Sequence, residues 1–195
     1  MTNKPSSKKF FKAVNAGASE IVNEFLSKGI DVDALDDQGL TAVHNAAFYG
    51  YSELVKLLCQ KGANVNLSNH LGYTPLMAAS HDGRVESVKV LINCGANVNA
   101  VTTEKRTALI IAAGFSPSVE VVDELIAGGA EVDAQDYSGA TALMHAAFRG
   151  SIEMVKSLVH HGANMGITDA NGKTAQDDAT GKGHFDILDF LKQST

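Results

Sequence analysis

Apolar residues recur along the chain in short clusters separated by polar, glycine-rich gaps. Within the clusters they stand three apart: Val22 and Phe25, Val55 and Leu58, Val88 and Leu91, Val122 and Leu125, Val155 and Leu158, Leu188 and Leu191. Residues at this spacing share one helical face, so each cluster predicts an amphipathic helix. The clusters return at a fixed period. Thr41, Thr74, Thr107, Thr141 and Thr174 are separated by 33, 33, 34 and 33 residues, and Ala46, Ala79, Ala112, Ala146 and Ala179 each follow five residues later. One period before Thr41 lies Lys8, with Ala13 in the alanine column, so six units are predicted.

The other columns have physical reasons. Glu20, Glu53, Glu86, Glu120, Glu153 and Asp186 fall in the first turn of the apolar helix, where a negative charge complements the helix dipole. Gly29, Gly62, Gly95, Gly129 and Gly162 close that helix at a left-handed position. Gly17, Gly50, Gly83, Gly150 and Gly183 mark a turn before it, behind a second, shorter helix whose alanine permits close packing. Asp or Asn followed by Gly39, Gly72, Gly139 or Gly172 is turn chemistry between units. Each unit is therefore loop, short helix, turn, longer helix. No unit buries its apolar faces alone, and stacking supplies the core.

This register resembles the ankyrin repeat family, whose unit carries T-P-L-H-x-A. The nearest copies are Thr74-Pro75-Leu76-Met77-Ala78-Ala79 and Thr41-Ala42-Val43-His44-Asn45-Ala46, and Gly62–Asn66 and Gly95–Asn99 are also similar to the family. The resemblance implies an all-α solenoid of helix-turn-helix units with β-hairpin-like inter-repeat loops. It covers residues 8–195 as one domain, in units of about 8–35, 36–68, 69–101, 102–135, 136–168 and 169–195, after a flexible tail at 1–7. It also implies that the His44 ring bonds loop backbone, and that Asn66 and Asn99 stand where eukaryotic relatives can be hydroxylated; the alternative is a loop Asn bonding its own turn.

The end units read as capping repeats. Gln176-Asp177, followed by Asp178, replaces the apolar pairs of the inner units, and Lys8, Lys9 and Lys12 surround an inward pair, Phe10 and Phe11. The fourth unit departs from the pattern. Lys105 takes the loop-glycine slot, and Ser116-Pro117-Ser118 carries the extra residue behind the 34-residue spacing.

Composition narrows the function. At 195 residues, 45% hydrophobic and 19% charged, the chain is globular in kind, with no apolar run long enough to cross a membrane. The basic start, MTNKPSSKKFFK, is not followed by an apolar stretch, so no secretory signal is expected and the location is read as cytoplasmic. A net charge of −6 disfavours general binding to nucleic-acid phosphates. Cys59 and Cys94, 35 apart, form no metal or CxxC spacing. They read as buried free thiols in a reducing cytosol, with a reactive or regulatory thiol as the alternative.

Framework columns account for stability, so function is expected in the columns that vary. Of twelve aromatic residues, six fall at helix ends and loops: Phe48, Tyr49, Tyr73, Phe115, Tyr137 and Phe148. Large rings and Arg are interface anchors. Together with Leu40, His70, Leu71, His81, Arg106 and Arg149 they are the candidate partner-binding residues, on a concave face and its loop tips from about the second to the fifth repeat. The alternative is that some rings lie flat on neighbouring units and extend the core. His145 reads as a core or lining histidine, and adjacent His160 and His161 point to different faces, which disfavours a metal site. No phosphate loop, nucleophile motif or H-E-x-x-H occurs, so no enzyme, cofactor or metal is expected.

The reading is a monomeric protein–protein interaction module, a scaffold for a protein or extended peptide. The rival is an effector or regulator that inhibits or modifies a target enzyme through the fourth repeat, which requires Lys105, Arg106, Phe115 and Pro117 to converge on a pocket. A mere spacer would bind nothing.

Overall fold

The computed structural model describes residues 7–116 and 118–194; the expected tail lies outside these apart from Ser7, and so does Pro117. Twelve helices occupy the described residues, with no strand among them: α1 (Ser7–Asn15), α2 (Ser19–Ser27), α3 (Ala42–Tyr49), α4 (Ser52–Gln60), α5 (Pro75–His81), α6 (Val85–Asn93), α7 (Ala108–Phe115), α8 (Val119–Ala127), α9 (Ala142–Arg149), α10 (Ile152–His160), α11 (Ala175–Lys182) and α12 (Phe185–Gln193). None is long and apolar enough to cross a membrane.

The first helix of most repeats starts on the threonine column. Thr41, Thr107, Thr141 and Thr174 are extended N-cap residues whose hydroxyls accept the backbone N–H three residues on. Thr74 does the same for Met77. This satisfies a donor that the first turn would otherwise leave open. The acidic column lies in the first turn of α2, α4, α6, α8, α10 and α12, as its charge requires. The loops use one device throughout. The side-chain oxygens of Asp36, Asn69, Thr102, Asp136 and Asp169 each accept the N–H groups two and four residues on. The hairpin-like character of the loops survives as isolated antiparallel bridges, Leu35 with Thr41 and Gln135 with Thr141.

Lys105 keeps the left-handed backbone of the slot it fills, with φ 58°. A side chain there is strained by about 1 kcal/mol, which glycine at the equivalent loops avoids. The insertion in the fourth repeat replaces the left-handed turn glycine with Ser116, whose extended backbone ends α7 and whose hydroxyl accepts the Ser118 N–H at 3.0 Å.

The chain divides into two compact units. One holds the described residues up to Ala79 with Arg84–Asn97; the other holds Ser80–Gly83 and the described residues from Val98 onward. In the first, α1 packs on α3, and α2 on α4, which packs on α6. In the second, α7, α9 and α11 form one row and α8, α10 and α12 a parallel one. The alanines of the repeat column, from Ala13 to Ala179, are buried. Phe10 and Phe11 are buried as expected, edge to face at 5.2 Å, and Phe10 meets Phe25 at 6.1 Å.

The cysteines correct the free-thiol reading. Cys59 and Cys94 are half-buried and joined as a disulfide, with Cα atoms 6.3 Å apart. Their separation of 35 exceeds the repeat period by two, so they do not share a column. That offset carries Cys94, the residue capping α6, toward the end of α4.

Candidate functional site

In the first unit, Phe48 and Tyr49 end α3 in exposed positions. Phe48 meets Tyr49 edge to face at 5.2 Å, and Tyr49 stacks on Tyr51 at 5.7 Å. Tyr51 is itself anchored: its hydroxyl donates to the Asn15 carbonyl at 3.3 Å. The Arg84 Nε donates to the Phe48 carbonyl at 3.1 Å, holding the helix end against the next repeat. Leu71 and His70 are exposed at a loop tip. Leu40 and Tyr73 are only half-buried, and Tyr73 is tied down: its hydroxyl donates to the Met77 carbonyl at 3.2 Å and its own carbonyl takes a bond from His44 Nε2 at 3.0 Å. An open cleft of about 540 Å³ lies between α1, the loop that precedes α3 and α3 itself, with Lys8, Lys12, Leu35, Asp37 and Tyr49 on its walls.

In the second unit, the Phe115 ring stacks on His81 with centroids 5.1 Å apart and planes 21° apart. His81 Nδ1 is 2.7 Å from the Asp82 carboxylate. Phe148 stays half exposed while the Lys182 ammonium sits 4.0 Å from its ring centroid, a cation–π contact. Arg149 donates to the Gly114 carbonyl, and His184 Nε2 to the Phe148 carbonyl at 3.3 Å. Both rings are thus about half exposed while each touches a neighbour one repeat away. Tyr137 is 80% exposed at a loop tip, its N–H donating to the Glu104 carbonyl at 2.9 Å.

Arg106 lines a cleft of about 390 Å³ with Thr103, Glu104, Asp136, Tyr137 and Ser138. Its Nη1 is 3.2 Å from Glu104, and its Nε, buried without a hydrogen bond, is 3.9 Å from Asp136. Burial alone would raise the Asp136 carboxyl, but bonds from Ser138, His145 and Ala140 together hold it below the usual carboxylate range. His145 Nε2 is 2.9 Å from Asp136, so the ring lines the loop interior. Phe115 does not line this cleft, and Lys105 is exposed outside it.

His161 and Ser157 share one acceptor, Asp123 Oδ1, at 3.0 and 2.8 Å, while His160 meets His161 edge to face. No cluster suited to a metal ion occurs among the described residues.

Sequence reasoning missed the part played by Asn66 and Asn99. Asn66 Nδ2 donates to the Gly95 carbonyl at 3.0 Å while its Oδ1 accepts the Asn97 N–H at 2.7 Å. Asn99 repeats this with Gly129 at 3.0 Å and Glu131 at 2.9 Å. Asp33 and Asp133, in the same column, keep only the acceptor half, toward the N–H groups of Asn64 and Asn164. These amides bond the next repeat rather than their own turn. The signal was available as a column of Asp and Asn at the repeat period.

A comparison with curated proteins found no match. Against known families, the chain matches ankyrin repeats (3 copies) twice, over residues 10–102 and 109–195. Ankyrin repeats are in general modules of protein–protein interaction, and with nearly its whole length matched in the register described above, the chain belongs to the ankyrin repeat family.

Proposed function

We propose that the chain binds a protein or an extended peptide through the exposed rings at its helix ends and loop tips. The carrying observation is the pair Phe115 and Phe148 in the second unit, each about half exposed while in contact with His81 or Lys182. A ring already fixed by its neighbours loses little freedom on binding, so apolar contact converts more fully into affinity. Arg149 and Tyr137 extend this patch with residue types that anchor interfaces. In the first unit, Phe48, Tyr49, His70 and Leu71 form a second set by the same criteria. Tyr73 supports its loop more than it presents a contact, because its hydroxyl and carbonyl are both engaged. The reading includes a monomeric chain working as a scaffold in the cytoplasm, where the Cys59–Cys94 pair would meet a reducing thiol pool.

A peptide library panned on the full chain tests this. Peptides selected on the wild type should lose at least about tenfold in affinity for a Phe115→Ala/Phe148→Ala variant with unchanged helical signal and melting. Undiminished binding by every selected peptide would remove the second-unit patch from the site.

A further inference from the structure

We propose that Cys59 and Cys94 are a reversible redox staple that sets how tightly the second and third repeats hold together. The geometry is specific to this pair. Equivalent residues of adjacent helices stand roughly 8–10 Å apart, beyond the reach of a disulfide, which needs Cα atoms within about 7 Å. The two-residue offset from the repeat period removes that gap, and the Cα separation is 6.3 Å. Both residues are half-buried at the ends of α4 and α6, open enough for a small thiol or disulfide to approach.

The same repeat boundary has bonds that do not depend on sulfur. Asn66 donates to Gly95, the residue after Cys94, and Asn97 donates back to Asn66. His44 reaches Tyr73, and Arg84 reaches Phe48. The boundary is therefore held in both redox states, and the disulfide modulates it by closing a 35-residue separation in the unfolded chain. The co-reactant is a small-molecule disulfide such as oxidised glutathione. One cysteine thiolate attacks it, releasing one small thiol and leaving a mixed disulfide. The second cysteine thiolate attacks the mixed disulfide at the protein sulfur and releases the other small thiol. Two electrons pass from the pair to the co-reactant, whose two sulfurs leave with the two thiol protons; excess small thiol runs the exchange backwards.

The test equilibrates the full chain in glutathione buffers from fully reduced to fully oxidised, then alkylates it with iodoacetamide and weighs it. The expected result is two alkylated thiols at the reduced end. At the oxidised end none is alkylated, no glutathione is attached, and dithiothreitol reverses the change. The oxidised chain should melt about 5–10 °C above the reduced one. The Cys59→Ala/Cys94→Ala double variant should melt like the reduced wild type and show no dependence on the buffer. Two alkylatable thiols in every buffer, glutathione adducts in place of the internal bond, a pair that excess dithiothreitol leaves intact in the folded chain, or equal melting of the two forms would each overturn the proposal.

Discussion

His44 shows how one side chain both caps a helix and joins two repeats. The Thr41 N–H donates to its Nδ1 at 3.2 Å, so Nδ1 carries no proton, and Nε2 donates to the Tyr73 carbonyl. The ring is neutral in the fold, and burial lowers its pKa below the ordinary value despite the Tyr73 bond. A proton on Nδ1 would remove the acceptor that Thr41 uses. The unfolded chain binds that proton near pH 6.5 and the folded chain only at lower pH. The stability His44 contributes is therefore full above about pH 6.5 and is lost as pH falls through the lower folded value. Thermal melts from pH 8 to pH 5 should show the advantage of wild type over His44→Gln shrinking with acid, since Gln can cap without titrating. A difference that stays constant over that range would contradict the neutral ring. That the family's T-x-x-H histidine bonds loop backbone was an expectation of the resemblance, and both bonds agree with it. Asp177 occupies the same position after Thr174 and caps it with a carboxylate, accepting the Thr174 N–H at 2.8 Å. The polar substitution expected of an end repeat thus also does helix work.

At the scale of elements, the helices were legible because their causes are local. Apolar spacing, first-turn acids and closing glycines are each read from residues a few positions apart, and the second helix of every repeat carries its acid in the first turn. The threonine column was visible as register, but its role as N-cap emerges only with the extended backbone that aims its hydroxyl. The bonds between repeats were not legible, because their partners lie about thirty residues away. The Asn99 amide makes two such bonds, so Asn99→Ala should cost about 1–2 kcal/mol in a urea or thermal melt. Asn99→Asp should cost less, since it keeps the acceptor for the Glu131 N–H, as Asp33 and Asp133 do in their own repeats. Equal costs for the two variants would show that the acceptor for the Glu131 N–H carries no part of the effect.

For the whole molecule, charge and repetition set the terms. A chain of net charge −6 lacks the cation surplus that releases counterions from a duplex. It should therefore leave duplex DNA unshifted in a gel at about 50 mM salt, where electrostatic binding is strongest; a salt-sensitive shift would point to a basic face that net charge conceals. Stability in such a protein is a sum of repeat and neighbour contributions. A change at one boundary, such as oxidation of Cys59 and Cys94, therefore acts first on the first unit, where both sulfurs lie.

The sequence by itself determined the six-fold register, the helical fold, the buried Phe10–Phe11 pair and the columns where contacts were to be sought. These follow from periodicity and from interactions short in sequence. Only the tertiary structure decided that Cys59 reaches Cys94, that Asn66 and Asn99 tie one repeat to the next, and that Tyr73 is bound inward while Phe115 and Phe148 stay open. All but the Tyr73 bond, which is made to Met77 four residues on, depend on where a residue one repeat away is placed. A 33-residue period sets that placement only to within a helix turn, and a disulfide or a hydrogen bond is made or lost over a smaller distance than that.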